Sequence, residues 1–172
     1  MNQLDRLKEK TILIIEHDNE RLSSLQNILS KAGYRKLICA ADQEQVFEVI
    51  RPFQGKIDDI GVILLDYQLP QSDTLKFSQL LTTLDGHDAI PLLFLADKMI
   101  TLDDELVGRC HAANAATIIH YPSKDGEIIP LISLALALKN ERDERIAHEE
   151  KLISELSERR IMEARLQYLV AH

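Results

Sequence analysis

Acidic side chains follow two short apolar segments of the chain, and this placement indicates a binding site. Asp66 directly follows the apolar run 62–65, and Glu16 and Asp18 follow the run 12–15. Short apolar runs are typical of buried parallel strands, whose carboxyl ends meet at one edge of a sheet. Carboxylates gathered at such an edge can bind a divalent cation or contact a phosphoryl group. The sequence therefore predicts a site for one of these ligands.

The elements that must position these acids alternate along the chain. Apolar runs predict strands at 11–15, 37–40, 62–65, 91–95 and 117–119. Amphipathic periodicity and capping residues predict helices at 19–31, after Asp42, at 75–84, at 101–113 with Thr101 as its cap, and from about Asp125 onward. Strands that alternate with helices form a parallel sheet covered on both faces. We therefore predict an α/β, flavodoxin-like (βα)5 doubly wound sheet with a long C-terminal helix extension.

Composition excludes several classes of protein. The chain has 172 residues and a formal net charge of −8, a balance unsuited to binding nucleic acid. Cys39 and Cys110 lie far apart, without the spacing of metal ligands, so we expect reduced thiols and a cytoplasmic protein. Residues 1–10 are too polar for a signal peptide, and no apolar run is long enough to span a bilayer. We therefore expect neither nucleic acid nor a membrane as a partner.

The C-terminal segment 139–172 contains neither Gly nor Pro and is rich in Glu, Arg and Lys, which predicts a continuous helix. One heptad position is occupied in turn by Leu138, Arg145, Leu152, Arg159 and Leu166. A long, mostly polar helix needs a partner helix, so we predict a homodimer through this segment. A solvated single helix remains the alternative. The predicted division is a domain at 1–138 and a helical coiled-coil linker at 139–172.

The acidic cluster after the first strand, the motif Asp66-x-x-Leu69-Pro70 and a loop containing Pro122 together resemble the receiver domain of response regulators. The resemblance covers about residues 10–138. It implies that Asp66 accepts a phosphoryl group from a histidine kinase or phosphotransfer protein. It also implies a Mg²⁺ site, here formed by Glu16, Asp66 and the backbone carbonyl of Gln68, with Asp18 as a substitute ligand.

Three positions depart from the pattern of that family. His17 stands where the second metal-binding acid is expected, and Mg²⁺ prefers oxygen ligands, so its binding should be weakened. Ala96 stands in place of a Thr or Ser hydroxyl. Tyr121 stands in place of a lysine, and a phenol supplies no cation for a phosphoryl oxygen. These changes predict a degenerate receiver in which phosphoryl transfer to Asp66 is slow.

Other interpretations of the same residues stay open. Asp66 could be a strand-end residue whose carboxylate is satisfied by backbone amides. Glu16, His17, Asp18 and Asp66 could together bind a transition metal, since imidazole suits zinc or nickel better than magnesium. The remaining histidines are scattered and expected to be solvated: His87, His111, His120, His148 and His172.

The last residues, 165–172, resemble the segment that precedes a GGDEF domain, the catalytic domain of diguanylate cyclases. This resemblance implies an attached output domain related to cyclic-di-GMP. The receiver resemblance also implies a docking face formed by residues 98–112 and 118–121.

Three function classes follow from the sequence. The first is an atypical receiver that regulates an output domain through a dimeric coil. The second is a constitutive pseudo-receiver, which dimerises or docks without phosphorylation. The third is a phosphatase-like enzyme, which is the weakest because Gln68 fills the place of the second aspartate that such enzymes use. The sequence predicts no catalytic residue and favours a protein that is not an enzyme.

Overall fold

A computed structural model of the chain describes residues 2–51, 59–83, 90–122 and 127–171. The predictions that concern Leu84, His87, Asp125 and His172 lie outside these residues.

A five-stranded parallel sheet forms the centre of the molecule. Its strands are β1 (Thr11–Ile15), β2 (Leu37–Ala40), β3 (Ile60–Asp66), β4 (Leu92–Ala96) and β5 (Thr117–His120). Their order across the sheet is β2-β1-β3-β4-β5. The predicted doubly wound sheet is confirmed, and β3 begins two residues earlier than predicted. Asp66 is the last residue of β3, next to Leu95 of β4.

The described part of the chain contains six helices. They are α1 (Gln3–Leu7), α2 (Asn19–Lys31), α3 (Gln43–Ile50), α4 (Thr74–Thr82), α5 (Asp104–Ala112) and α6 (Ile128–Ala171). Helix α1 was not predicted, because its five residues carry little periodicity. Asp42 caps α3 as predicted. The prediction that Thr101 caps α5 was wrong. The cap is Asp103, two residues later, whose side chain accepts a hydrogen bond from the amide of Leu106.

Alternate residues of each central strand face two separate cores, which explains their continuous apolar sequence. On one face, Ile63 and Leu65 pack with residues of α3, α4 and α5. On the other face, Val62 and Leu64 pack with residues of α1, α2 and the first turns of α6. The sheet between these two cores carries the predicted acids at its carboxyl edge.

The chain divides into two compact units, Met1–Lys139 and Asn140–His172. In the second unit, every residue from 151 to 171 is helical and exposed. No helix among the described residues combines the length and apolar composition needed to cross a membrane. The division of the chain into a receiver domain and a coiled-coil linker stays a prediction.

Candidate functional site

Asp66 is buried at the carboxyl end of β3, and both of its carboxylate oxygens have partners. The backbone amide of Gln68 donates to Oδ1 at 3.0 Å. Nδ1 of His17 lies 2.7 Å from Oδ2. The His17 tautomer that carries its proton on Nδ1 donates this hydrogen bond to the Asp66 carboxylate. The predicted phosphoacceptor is therefore hydrogen-bonded to His17.

Glu16 follows β1 directly and is 1% exposed. Its Oε1 accepts a hydrogen bond from the amide of Asp18 at 3.1 Å. Burial, followed by the negative charge of Asp66, raises the pKa of Glu16 from 4.5 to about 7. The two carboxyl groups thus share a pocket that is too poorly solvated to hold both charges without a counter-ion.

Asp18 serves the helix that follows and does not join the cluster formed by Glu16, His17 and Asp66. Its Oδ1 accepts hydrogen bonds from the amides of Glu20 and Arg21, which makes it the N-cap of α2. These bonds, chiefly the one from Arg21, lower the pKa of Asp18. The role predicted for Asp18 as a substitute metal ligand therefore gains no support from its position.

Arg21 is the residue of this site that the sequence analysis missed. Its guanidinium Nη2 lies 3.3 Å from Oε1 of Glu16 and 3.9 Å from Oδ2 of Asp66. Its Nη1 lies 3.7 Å from Oδ2 of Asp97, the residue that directly follows β4. Arg21 occupies the first turn of α2, three residues after the cap, so its long side chain can reach back over the carboxyl edge of the sheet. That position was the available sequence signal.

Ala96 and Tyr121 lie at the carboxyl ends of the next two strands. Ala96 ends β4 and is fully buried, and its carbonyl accepts from the amide of Tyr121 at 2.8 Å. The Tyr121 ring is 2% exposed, and its hydroxyl lies 2.8 Å from Oγ of Ser24 on α2. Tyr121 therefore belongs to the core beneath α2, and neither residue offers the pocket a cation.

The prediction for His120 was wrong. Its Nε2 lies 2.7 Å from the carbonyl oxygen of Ile100 and donates to it, and the ring is half-buried. The bond joins the end of β5 to the loop before α5, a contact that sequence spacing cannot show. His111 and His148 are exposed, as predicted.

Among the described residues, Glu16, His17 and Asp66 form a group that could hold a metal, with ligand atoms within 4.8 Å of one another. Mg²⁺ takes oxygen ligands in an octahedron, and the imidazole nitrogen that faces these two carboxylates is not such a ligand. In addition, Oδ2 of Asp66 already accepts the hydrogen bond from His17. The donor set therefore fits Mg²⁺ poorly.

The chain matches no protein-family model and no curated protein sequence. It is similar to solved structures of receiver domains. One is the receiver domain of an HD domain-containing protein from Pseudomonas fluorescens, at 19% identity and a TM-score of 0.65 over 80% of this chain and 94% of that one. Another is the N-terminal domain of a response regulator/sensory box/GGDEF protein from Carboxydothermus hydrogenoformans, at 22% identity and a TM-score of 0.60 over 77% and 98%.

A third similar structure is the CheX–CheY complex from Borrelia burgdorferi with BeF3 and Mg²⁺, at 18% identity and a TM-score of 0.58 over 70% of this chain and 84% of that one. At these identities the similarity establishes the fold. The resemblance to receiver domains is confirmed at that level, with a five-stranded parallel sheet and a long C-terminal helix.

Proposed function

We propose that this protein is a receiver-type signalling module that acts without efficient phosphoryl transfer, as a pseudo-receiver that regulates an attached output domain. The observation that supports this most is the engagement of both oxygens of Asp66, by the amide of Gln68 and by Nδ1 of His17. An attacking carboxylate oxygen must be free and aligned with the phosphorus atom. Here the attack would first have to break a 2.7 Å hydrogen bond.

The surroundings of Asp66 also support a role without chemistry. Phosphoryl transfer depends on positioning and on cations that neutralise the transferred group. Ala96 has no hydroxyl to contact a phosphoryl oxygen, and the hydroxyl of Tyr121 points to Ser24. The second candidate is slow phosphorylation of Asp66, favoured by its place at the carboxyl end of β3.

Intact mass spectrometry after incubation with acetyl phosphate and Mg²⁺ tests the proposal. We expect no adduct of one phosphoryl group on the native chain or on Asp66→Asn, while a competent receiver domain treated in parallel is labelled. An adduct on the native chain that is absent from Asp66→Asn would refute the pseudo-receiver. His17, Ala96 and Tyr121 would then be residues that tune the rate of phosphorylation.

The proposed output mechanism uses residues 139–172 as a coiled-coil linker and residues 1–138 as the receiver. The second unit exposes many large apolar side chains along one continuous helix: Leu152, Ile153, Leu156, Ile161, Met162, Leu166, Tyr168, Leu169 and Val170. A second copy of the same helix would bury part of this surface. We propose an output related to cyclic-di-GMP because residues 165–172 resemble the segment that precedes a GGDEF domain. One of the similar structures is the N-terminal domain of a GGDEF-containing protein.

Sedimentation equilibrium tests the homodimer. We expect the native chain to be dimeric and the double variant Leu152→Glu, Leu156→Glu to be monomeric, because two like charges would face their copies in the coil. The double variant Ser154→Glu, Ser157→Glu adds the same two charges at exposed polar positions of the same helix and should leave the dimer intact. A monomeric native chain, or a double variant that still dimerises, would contradict this mechanism.

A further inference from the structure

Three carboxylates converge on one guanidinium at the carboxyl edge of the sheet. The Glu16 and Asp66 side chains are almost completely buried, at 1–2% exposure, whereas that of Asp97 is 43% exposed. Arg21 lies within 4.0 Å of all three, and its side chain is 19% exposed. Two buried carboxylates in one pocket repel each other, so a positive charge between them is needed for both to ionise.

Placing the Arg21 side chain in this pocket costs folding free energy, which the ion pairs must offset. Its Nε is buried and donates no hydrogen bond within the described part of the chain. A buried donor without an acceptor is unfavourable, and a long side chain loses conformational freedom when it is held in place. Arg21 therefore lies in the pocket because of its charge and not because the site satisfies all of its donors.

We propose that Arg21 is the built-in counter-ion of the acidic pocket, and that its guanidinium excludes Mg²⁺ from the position between Glu16 and Asp66. A Mg²⁺ ion binds carboxylate oxygens at about 2.0–2.1 Å and holds its other ligands in an octahedron. Nη2 of Arg21 lies 3.3 Å from Oε1 of Glu16, so the ion and the guanidinium would compete for that oxygen. A fixed guanidinium also repels a second cation.

His17 reinforces this exclusion. Its Nδ1 donates to Oδ2 of Asp66 at 2.7 Å and lies 3.6 Å from Oε1 of Glu16. Oε1 of Glu16 and Oδ2 of Asp66 thus already face donors from Arg21 and His17. The chain itself supplies the positive charge and the hydrogen-bond donor of this pocket, which makes the module independent of divalent metal. This inference rests on the proposed function for its biological meaning, since it explains how a receiver fold can keep its acids without the metal.

Two measurements on the full chain test the proposal. Calorimetry measures the heat of Mg²⁺ binding in a titration, and thermal unfolding gives the Tm in EDTA and in millimolar Mg²⁺. For the native chain we expect no heat of binding and no change in Tm. Arg21→Met should unfold at a lower temperature in EDTA, and Mg²⁺ should raise its Tm by binding at least about tenfold more tightly than to the native chain. Arg35→Met removes an exposed arginine outside the pocket and should behave as native.

Each outcome decides the proposal. Native binding of Mg²⁺ as tight as that of Arg21→Met would overturn it, as would an Arg21→Met chain that gains no affinity. If Arg21→Met does not fold in EDTA, recovery of the fold in Mg²⁺ supports the proposal and failure to recover refutes it. Phosphorylation of native Asp66 without native Mg²⁺ binding would refute the pseudo-receiver and leave this inference standing, so the two failures can be told apart.

Discussion

Glu16→Gln should remove a pH dependence of stability that the native protein shows between about pH 5 and pH 8. Burial and the charge of Asp66 raise the pKa of Glu16 to about 7 in the folded chain, compared with 4.5 for an ordinary glutamate. In this window the folded state binds more protons than the unfolded state, so the free energy of unfolding falls as pH rises. The Glu16 contribution is complete below about pH 4.5 and is lost as pH rises through 7.

The expected size is about 2–3 kcal/mol, from roughly 1.4 kcal/mol for each unit by which a pKa is raised. It is measured by urea unfolding of the native chain and of Glu16→Gln across this pH range. The difference between the two free energies should grow in favour of Glu16→Gln as pH rises. Glu48→Gln, which changes an exposed carboxylate on α3, should keep the native slope. If the free energy of unfolding changes equally with pH in the native chain and in Glu16→Gln, ionising the buried Glu16 carboxyl does not destabilise the fold.

Gly61→Val should lower the free energy of unfolding by about 1–3 kcal/mol, the usual range for overpacking a filled core. Gly61 lies in β3, where α6 crosses the sheet, and a Cβ there would collide with Cδ2 of Leu136. The same Cβ would lie 3.0 Å from Cβ of Lys10, which cannot move without its backbone. Valine favours strands, so a loss of stability here would come from the collision and not from propensity.

Thermal and urea unfolding measure the effect, with two companion variants. Adding Leu136→Ala to Gly61→Val should recover about 1 kcal/mol, because it removes one of the two obstructing groups. Gly108→Ala is the matched control, since no atom lies within 4 Å of its added Cβ on α5. It should stabilise the chain by up to about 1 kcal/mol, because alanine favours a helix. A Gly61→Val chain as stable as native would mean that α6 can move away from β3.

The order and type of the main elements could be read from the sequence because each follows from local periodicity. The bounds of α2 and β2 match the prediction residue for residue. Asp42 could be identified as a cap from the sequence because capping is a local interaction. Its side chain accepts a hydrogen bond from an amide only three residues away. Short helices were harder to predict, and so was the choice of the capping residue among neighbouring candidates. Helix α1 was missed, and the cap of α5 was assigned to Thr101 although Asp103 makes the bond.

The acids of the candidate site could be placed at one edge for the same reason. Asp66 ends β3 and Glu16 directly follows β1, the adjacent parallel strand, and parallel strands bring their carboxyl ends together. The sequence by itself therefore determined the fold class, the edge that carries the acids and the two carboxyl groups that meet there.

Only the tertiary structure decided how those charges are balanced. Arg21 reaches Asp66 and Asp97, residues that lie 45 and 76 positions further along the chain. Tyr121 turns to Ser24, 97 positions away, instead of toward Asp66. Strand and helix periodicity indicates the face of the element on which a side chain lies. A long side chain at the edge of a sheet can, however, contact any of several partners. That choice depends on burial and on the sum of nearby charges, which exist only once the strands are assembled.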